Sequence, residues 1–146
     1  MMSTAAILAM IDARAAIDPE FAEHVTERRD AQIAAALSEG RTKLVPTEIG
    51  SGTILAALGE GGGAFLDALV EIGTVNRNVY WTMDLIRQGR LRIDLPATRA
   101  GMQGLAAAVP SLAPAVQALL TLGYEPDPID VGAVSAALNA RERGAA

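Results

Sequence analysis

Apolar residues recur along much of this chain at the three- and four-residue spacing of an amphipathic helix. Ile7 and Ile11 are four positions apart in an early segment, and Val79, Met83 and Ile86 follow one another at similar spacing in a later one. Because side chains three or four positions apart lie on the same side of a helix, each segment is predicted to bury one face.

Residues that start and stop helices divide this pattern into short helices. A hydroxyl, carboxylate or amide side chain accepts hydrogen bonds from the first free amides of a helix, and glycine readily adopts the left-handed conformation that ends one. The predicted N-caps are Ser3 or Thr4, Asp18, Asn76 and Asp130, and the predicted stops are Gly40, Gly59, Gly89 and Gly123. We therefore predict a mainly α fold, a compact bundle of about six to eight short helices.

One segment favours a strand instead. Residues 90–95 alternate charged and apolar side chains with period two, which is the spacing of a half-buried strand. The best partner for it in the sequence is the segment 43–45. The fold is therefore predicted to contain at most a small two-stranded β ribbon, with a helical layer behind it.

Length and composition agree with one helical domain. The chain has 146 residues, which is the size of an ordinary domain. Twenty-nine residues are alanine and five are aromatic, a balance that favours helices over strands. We predict a single helical domain over residues 1–140 and a frayed C-terminal tail over residues 141–146.

An uncharged stretch from Ala100 to Tyr124 is long enough to be weighed as a membrane span. Pro110 and Pro114 interrupt it, and most of its apolar residues are alanines, so two short buried helices that break at Pro110 are the better interpretation. Residues 1–16 also lack the basic segment of a secretory signal. We expect a cytosolic protein that does not bind membranes.

Composition excludes several kinds of chemistry. The chain has no cysteine, which excludes disulfides, zinc–thiolate sites and a cysteine nucleophile. A net charge of -5 argues against nonspecific binding to nucleic acid. The glycine-rich segment 59–64 has a spacing found in dinucleotide-binding turns, but no strand is predicted before it. We predict no cofactor.

His24 is the only histidine in the sequence, and a helix would place it on one face with Glu20 and Glu27. A carboxylate-bridged metal pair in a helical bundle needs a histidine on a second helix as well. We therefore interpret residues 20–27 as a solvated acidic face. No catalytic residue and no metal ligand are predicted, and an enzyme centred on His24 ranks third among the hypotheses.

The most informative segment for function is the predicted helix 76–90. Its residues outside the apolar stripe are rich in arginine and aromatic side chains, the types most enriched among the energetically dominant residues of protein interfaces. Between residues 77 and 99 the sequence has five arginines and two aspartates, a local positive excess in an acidic chain. The predicted partner-binding residues are Arg77, Tyr80, Trp81, Asp84, Arg87, Arg90 and Arg92.

Two alternatives remain open from the sequence. Trp81 is the only tryptophan, and a lone tryptophan is equally well interpreted as a partly buried anchor of its own domain. The acidic residues Glu20, Glu23 and Glu27 would instead suit an acidic inhibitor that binds a host protein through this face.

Two stretches resemble a known group of proteins. Residues 40–55 read GRTKLVPTEIGSGTIL, and residues 88–91 read QGRL. These stretches are similar to small proteins encoded by tailed bacteriophages and prophages, and the similarity runs from about Ala31 to Asp130. The aromatic pair Tyr80-Trp81 departs from the pattern of that group.

The resemblance implies a virus-encoded accessory or virion-associated protein, located in the cytoplasm of a bacterial host or in the virion. Taken with the candidate face, it leads us to expect a non-enzymatic protein-interaction module, virion- or tail-associated or self-assembling. The expected partner is a phage structural component, a second copy or a host factor. We expect no nucleic acid, membrane or cofactor to be involved.

Overall fold

Helices account for most of the chain in the computed structural model, which describes residues 2–145, with the side chains of residues 2–144. The predicted mainly α fold is confirmed. The helices of this part of the chain are α1 (Thr4–Ala15), α2 (Pro19–Thr26), α3 (Asp30–Ser38), α4 (Ser51–Leu58), α5 (Gly61–Gly73), α6 (Arg77–Gln88), α7 (Pro96–Ala108), the 3-10 helix Pro110–Leu112, α8 (Ala113–Thr121) and α9 (Val131–Ala145). The strands are β1 (Thr42–Leu44), β2 (Glu48–Ile49), β3 (Leu91–Arg92) and β4 (Tyr124–Pro126).

The chain divides into two compact units, where the sequence predicted one domain over residues 1–140. Unit 1 contains the residues up to Lys43 together with those from Pro126 onward, and unit 2 is the continuous segment Leu44–Glu125. Each unit has its own apolar core. The periodicity of the sequence marks which residues are buried, but it does not tell which stripes pack against each other, so this division was missed.

Unit 1 packs α1, α2, α3 and α9 around an apolar core. Phe21, Ile11, Ile33 and Val134 are almost completely buried in it. The Asp18 carboxylate accepts a hydrogen bond from the Phe21 amide at 3.2 Å, so the predicted start of α2 is confirmed.

Arg28 joins the turn between α2 and α3 to α9. Its φ of 55° is left-handed, a conformation that costs a non-glycine residue about 1–2 kcal/mol. Its guanidinium donates to Asp30 at 3.0 and 3.1 Å, to Glu142 at 2.6 Å and to Asn139 at 3.0 Å. The same guanidinium, together with the Ser135 hydroxyl, holds the pKa of Asp30 below its usual value. These bonds offset the unfavourable backbone conformation.

The C-terminal helix is longer than predicted. α9 continues through Ala145, past Arg141, where fraying was expected. The Arg141 guanidinium donates to the Asp12 carboxylate on α1 at 2.6 Å, and this pair anchors the segment. Residue 146 of the predicted tail lies outside the described residues.

Unit 2 packs α4 to α8 around a second core, in which Ile54, Phe65 and Leu119 are buried. A 3-10 helix separates α7 from α8, so the predicted break at Pro110 is confirmed. The expectation that both helices are buried is only partly right, because α7 buries Met102 and leaves its other side exposed. None of the helices in the described chain combines the length and apolarity needed to cross a membrane.

The predicted strand near residues 90–95 is confirmed as β3, but its predicted partner was wrong. β3 pairs antiparallel with β2, with Glu48 opposite Arg92 and Ile49 opposite Leu91. The segment predicted as partner instead overlaps β1, which pairs with β4. The described residues therefore contain two short ribbons. Strand pairing depends on tertiary packing, and the local alternation of residues does not encode it.

Candidate protein-binding site

Helix α6 carries five of the seven residues that the sequence singled out for binding a partner, and Arg90 and Arg92 follow its end. The side-chain oxygen of Asn76 accepts hydrogen bonds from the amides of Asn78 at 3.0 Å and Val79 at 3.2 Å, and so fixes the first turn. Gly89 ends the helix in the left-handed conformation, with a φ of 72°. Both predicted ends of this helix are confirmed.

The apolar stripe of α6 faces the core of unit 2, as predicted. Met83 and Ile86 are 6% and 2% exposed, and Val79 packs against the same core. Trp81 in contrast is 54% exposed, and the buried aromatic residue of this core is Phe65. The Trp81 ring therefore lies outside the buried core with about half of its surface exposed.

Arg77, Tyr80 and Trp81 form one exposed group, which we call the aromatic cluster. The Arg77 guanidinium carbon lies 4.6 Å from the centre of the Tyr80 ring and 5.7 Å from the centre of the Trp81 ring. The two rings meet edge to face, with centres 5.1 Å apart and planes at 88°. Cation–π and edge-to-face contacts stabilise such an arrangement. These contacts bring the three side chains together at the surface, where Tyr80 and Trp81 are 42% and 54% exposed.

Gly73, the last residue of α5, packs directly against the backbone of Tyr80. A Cβ atom at this position would lie 3.2 Å from the Tyr80 Cα and 3.4 Å from its amide nitrogen. The absence of a side chain lets α5 approach α6 closely at Tyr80, so the cluster is built on a tightly packed pair of helices.

A groove of about 560 Å³ lies between α6 and α7, and Trp81 is one of its lining residues. Trp81 and Leu85 line it from α6, and Gly101 and Gly104 line it from α7. Its other lining residues are Leu69, Ile72, Asn76, Asn78, Val79, Thr82, Leu91, Ala97, Thr98, Met102, Leu105, Ala108 and Val109. None of these lining side chains is charged, and most are apolar.

The exposed side of α6 and the residue that follows Gly89 carry unbalanced positive charge. Among the described residues, no carboxylate pairs with Arg77, Arg87 or Arg90. Asp84 is the one acidic member of the predicted face on α6. Its carboxylate accepts a hydrogen bond from the side-chain amide of Gln88 at 2.8 Å. The positive excess predicted from the sequence therefore persists on the folded surface.

Arg92, the last of the predicted binding residues, is engaged within its own unit. Its Nε and Nη2 atoms donate to the two oxygens of Asp94 at 2.7 and 2.6 Å. Asp94 Oδ1 also accepts a hydrogen bond from the Thr47 amide at 3.0 Å. The Arg92 guanidinium and this amide hold the pKa of Asp94 well below its usual range. Arg92 therefore serves mainly to tie β3 to the segment before β2.

The residues of α7 that line the groove were missed by the sequence analysis. Gly101 and Gly104 lie in the uncharged stretch that was interpreted as two buried helices, yet both are exposed. The signal in the sequence was the pair of glycines itself. Two glycines three positions apart lower the helix propensity of an alanine-rich segment, and neither of them marks the end of the helix. Only the packing of α7 beside α6 turns them into the wall of a groove.

The residues of the alternative acidic face, Glu20, Glu23 and Glu27, lie on α2 and directly after it. Glu20 and Glu23 are exposed on α2. Glu27 lies beyond Thr26, the last residue of the helix, and forms an ion pair with Arg29. Glu20 and Glu23 are therefore the two members of this face that form no ion pair among the described residues.

His24 lies at a shallow depression of unit 1, about 270 Å³ in volume, whose lining also includes Asp18, Glu20 and Glu39. His24 Nδ1 is 3.2 Å from a guanidinium nitrogen of Arg29. Because a guanidinium can only donate, this hydrogen bond requires an unprotonated Nδ1. Within residues 2–144, no group of three or more His, Asp or Glu side chains is placed to hold a metal ion.

Comparison with protein-family models, curated proteins and solved structures finds no match to this chain.

Proposed function

We propose that this chain is a non-enzymatic protein-interaction module that binds another protein through the exposed side of α6. The proposed setting is that of a bacteriophage-encoded protein, acting in the bacterial cytoplasm or in the virion. Its partner would be a virion or tail component, a second copy or a host protein. The resemblance of residues 40–55 and 88–91 to small phage proteins supports this setting.

The observation that carries the proposal is the exposure of Trp81 within the aromatic cluster. An indole ring is a large apolar surface, and covering an exposed side chain of this kind contributes about 2 kcal/mol. Tyr80 and Arg77 hold the ring in place and add a hydroxyl and a charge that can orient a partner. Tryptophan, tyrosine and arginine are the residue types that most often dominate the binding energy of interfaces.

Replacing Trp81 tests the proposal. We expect Trp81→Ala to leave the melting temperature within a few degrees of the unchanged protein, because the ring is not in the core. The same variant should lose the proteins that a tagged copy captures from infected or lysogenic cells, measured by quantitative mass spectrometry. Leu122→Ala is the matched control, since Leu122 is a large apolar residue, 39% exposed, that follows α8.

Undiminished capture by a folded Trp81→Ala variant would contradict this function. If capture were instead lost when Glu20 and Glu23 are both changed to Gln, the acidic face of α2 would be the binding surface. That outcome would favour the alternative, an acidic inhibitor of a host protein.

A further inference from the structure

The groove between α6 and α7 was not foreseen from the sequence and points to a more specific partner. We propose that it binds an apolar helical segment of a different protein, one that carries carboxylates along the edge of its apolar face. This inference rests on the proposed function and deepens it, because it names the chemistry of the segment that the module recognises.

The lining of the groove accounts for the apolar part of this partner. Its floor is made by residues of the unit 2 core, such as Leu69 and Met102, and Trp81 and Leu85 form its α6 wall. A volume of about 560 Å³ has room for several apolar side chains. An amphipathic helix presents such side chains in a row at the spacing that a groove between two helices accepts.

The charges around the groove account for the acidic part of this partner. The Arg77 guanidinium lies over the ring of Trp81, which lines the groove, and among the described residues Arg77 has no carboxylate partner. Residues 95–124, which include all of α7 and α8, contain no aspartate and no glutamate. A segment bearing carboxylates would meet the unpaired Arg77 on the α6 side and no acid on the α7 side, where a basic segment would find no carboxylate partner. Asp84 is the one acid on α6, and its carboxylate accepts a hydrogen bond from the Gln88 side chain.

The same charges disfavour a second copy of this chain in a symmetric pair. A two-fold contact places the same patch on both sides of the interface. That patch has no carboxylate on α7 or α8 and a single one, Asp84, on α6, so a second copy would offer Arg77 few acidic partners. We therefore assign the groove to a different protein.

A pair of fluorescent probes tests the groove on the purified full-length chain. Anilinonaphthalene sulfonate is apolar and anionic, and phenylnaphthylamine is the same aromatic framework without the sulfonate. Trp81 is the only tryptophan, so energy transfer from its emission to a probe reports that the probe is bound within range of this ring, and the groove variants below locate the site. We expect both probes to bind at one site per chain with transfer from Trp81.

Three variants separate the contributions to probe binding. Gly104→Leu should weaken both probes about tenfold or more, because it fills the groove. Gly63→Leu is the matched control, since Gly63 is also a helical glycine with open space around its Cβ position and does not line the groove. Arg77→Gln should weaken the sulfonate probe roughly two- to fivefold, the range of an exposed ion pair, and leave the uncharged probe unchanged.

A pair of helical peptides without tryptophan then tests the protein segment itself. The two peptides share one leucine stripe and carry either glutamates or lysines at the flanking positions. We expect the glutamate peptide to bind more tightly and to shift the Trp81 emission, and Gly104→Leu to abolish that binding. The proposal is overturned if the lysine peptide binds as tightly as the glutamate peptide, or if the probes bind and neither peptide does. It is also overturned if Gly104→Leu leaves the affinities for the probes and the glutamate peptide unchanged.

Two further results keep this inference distinct from the proposed function. If Trp81→Ala abolishes capture of cellular partners while Gly104→Leu retains it, the α6 surface binds proteins and the groove does not. If sedimentation shows a dimer that Gly104→Leu dissociates, a second copy occupies the groove and the assignment to a different protein is wrong.

Discussion

The arginines between residues 77 and 99 show how one residue type takes different roles in one small region. Arg92 is locked onto Asp94 by two short hydrogen bonds, and Arg99 donates to the backbone carbonyls of Ile93 and Leu120. Arg77 instead lies over exposed aromatic rings. The environment of each guanidinium therefore decides whether it supports the fold or remains available to a partner.

Asp94 is expected to make the folded protein less stable as the pH becomes acidic. Because its pKa is lowered in the folded protein, its contribution is fully present above the ordinary aspartate pKa of about 3.9 and is lost as the pH falls through the lowered value. We expect Asp94→Asn to lower the melting temperature by a few degrees at neutral pH. The variant should also lose less stability than the unchanged protein between about pH 5 and pH 2. Thermal unfolding followed by circular dichroism at several pH values measures both effects.

Asp67→Asn is the control for this prediction. Asp67 is an exposed residue of α5, and no ion pair involves it among the described residues. It should leave the melting temperature and its acid dependence unchanged. An Asp94→Asn variant with the acid dependence of the unchanged protein would show that the ion pair with Arg92 does not stabilise unit 2.

At the scale of elements, the position of α6 depends on a close backbone contact at its end. Gly50, between β2 and α4, lies so near Gly89 that a Cβ atom at position 50 would be 2.8 Å from the Gly89 Cα. It would also be 3.3 Å from the Ile86 carbonyl oxygen. Gly50, the residue just before α4, therefore has a packing role.

We expect Gly50→Ala to destabilise the protein by about 1–3 kcal/mol, because the added methyl group must displace backbone atoms. Denaturant unfolding gives this free energy directly. Gly52→Ala is the matched control two residues later, where the Cβ position is open. That change should be neutral or stabilising by about 0.4–1 kcal/mol, since alanine is the better helix former. Equal effects of the two substitutions would rule out the proposed contact.

The helices of the candidate site differ in how far they could be predicted. Both ends of α6 follow from Asn76 and Gly89, because caps act within a few residues of the chain. The exposed side of α7 could not be predicted, since alanine and glycine carry little polarity to mark a surface. The aromatic cluster was thus predicted residue by residue, and the groove beside it was not.

At the scale of the whole molecule, unit 2 is one uninterrupted segment with its own core. We expect residues 44–125 expressed alone to keep their helical circular dichroism spectrum and to unfold cooperatively, as an independent domain does. Residues 1–43 alone should lack helical structure, because the core of unit 1 also needs Val134 and Leu138 from α9.

A charge placed in the core checks this prediction. Val116 is fully buried in unit 2, so Val116→Asp should abolish cooperative unfolding of the 44–125 segment, because a buried unpaired charge is strongly unfavourable. If the unchanged segment is itself unfolded, unit 2 is not an independent folding unit.

The sequence by itself determined the features that depend on neighbours along the chain: where helices begin and end, which stripes are buried and which catalytic residue types are missing. Only the tertiary structure decided that these stripes form two cores, that β3 pairs with β2, and that α6 and α7 leave a groove. The physical reason is the distance along the chain over which each interaction acts. Caps and periodicity act over a few residues, whereas packing partners are selected by the fit of surfaces far apart in the sequence.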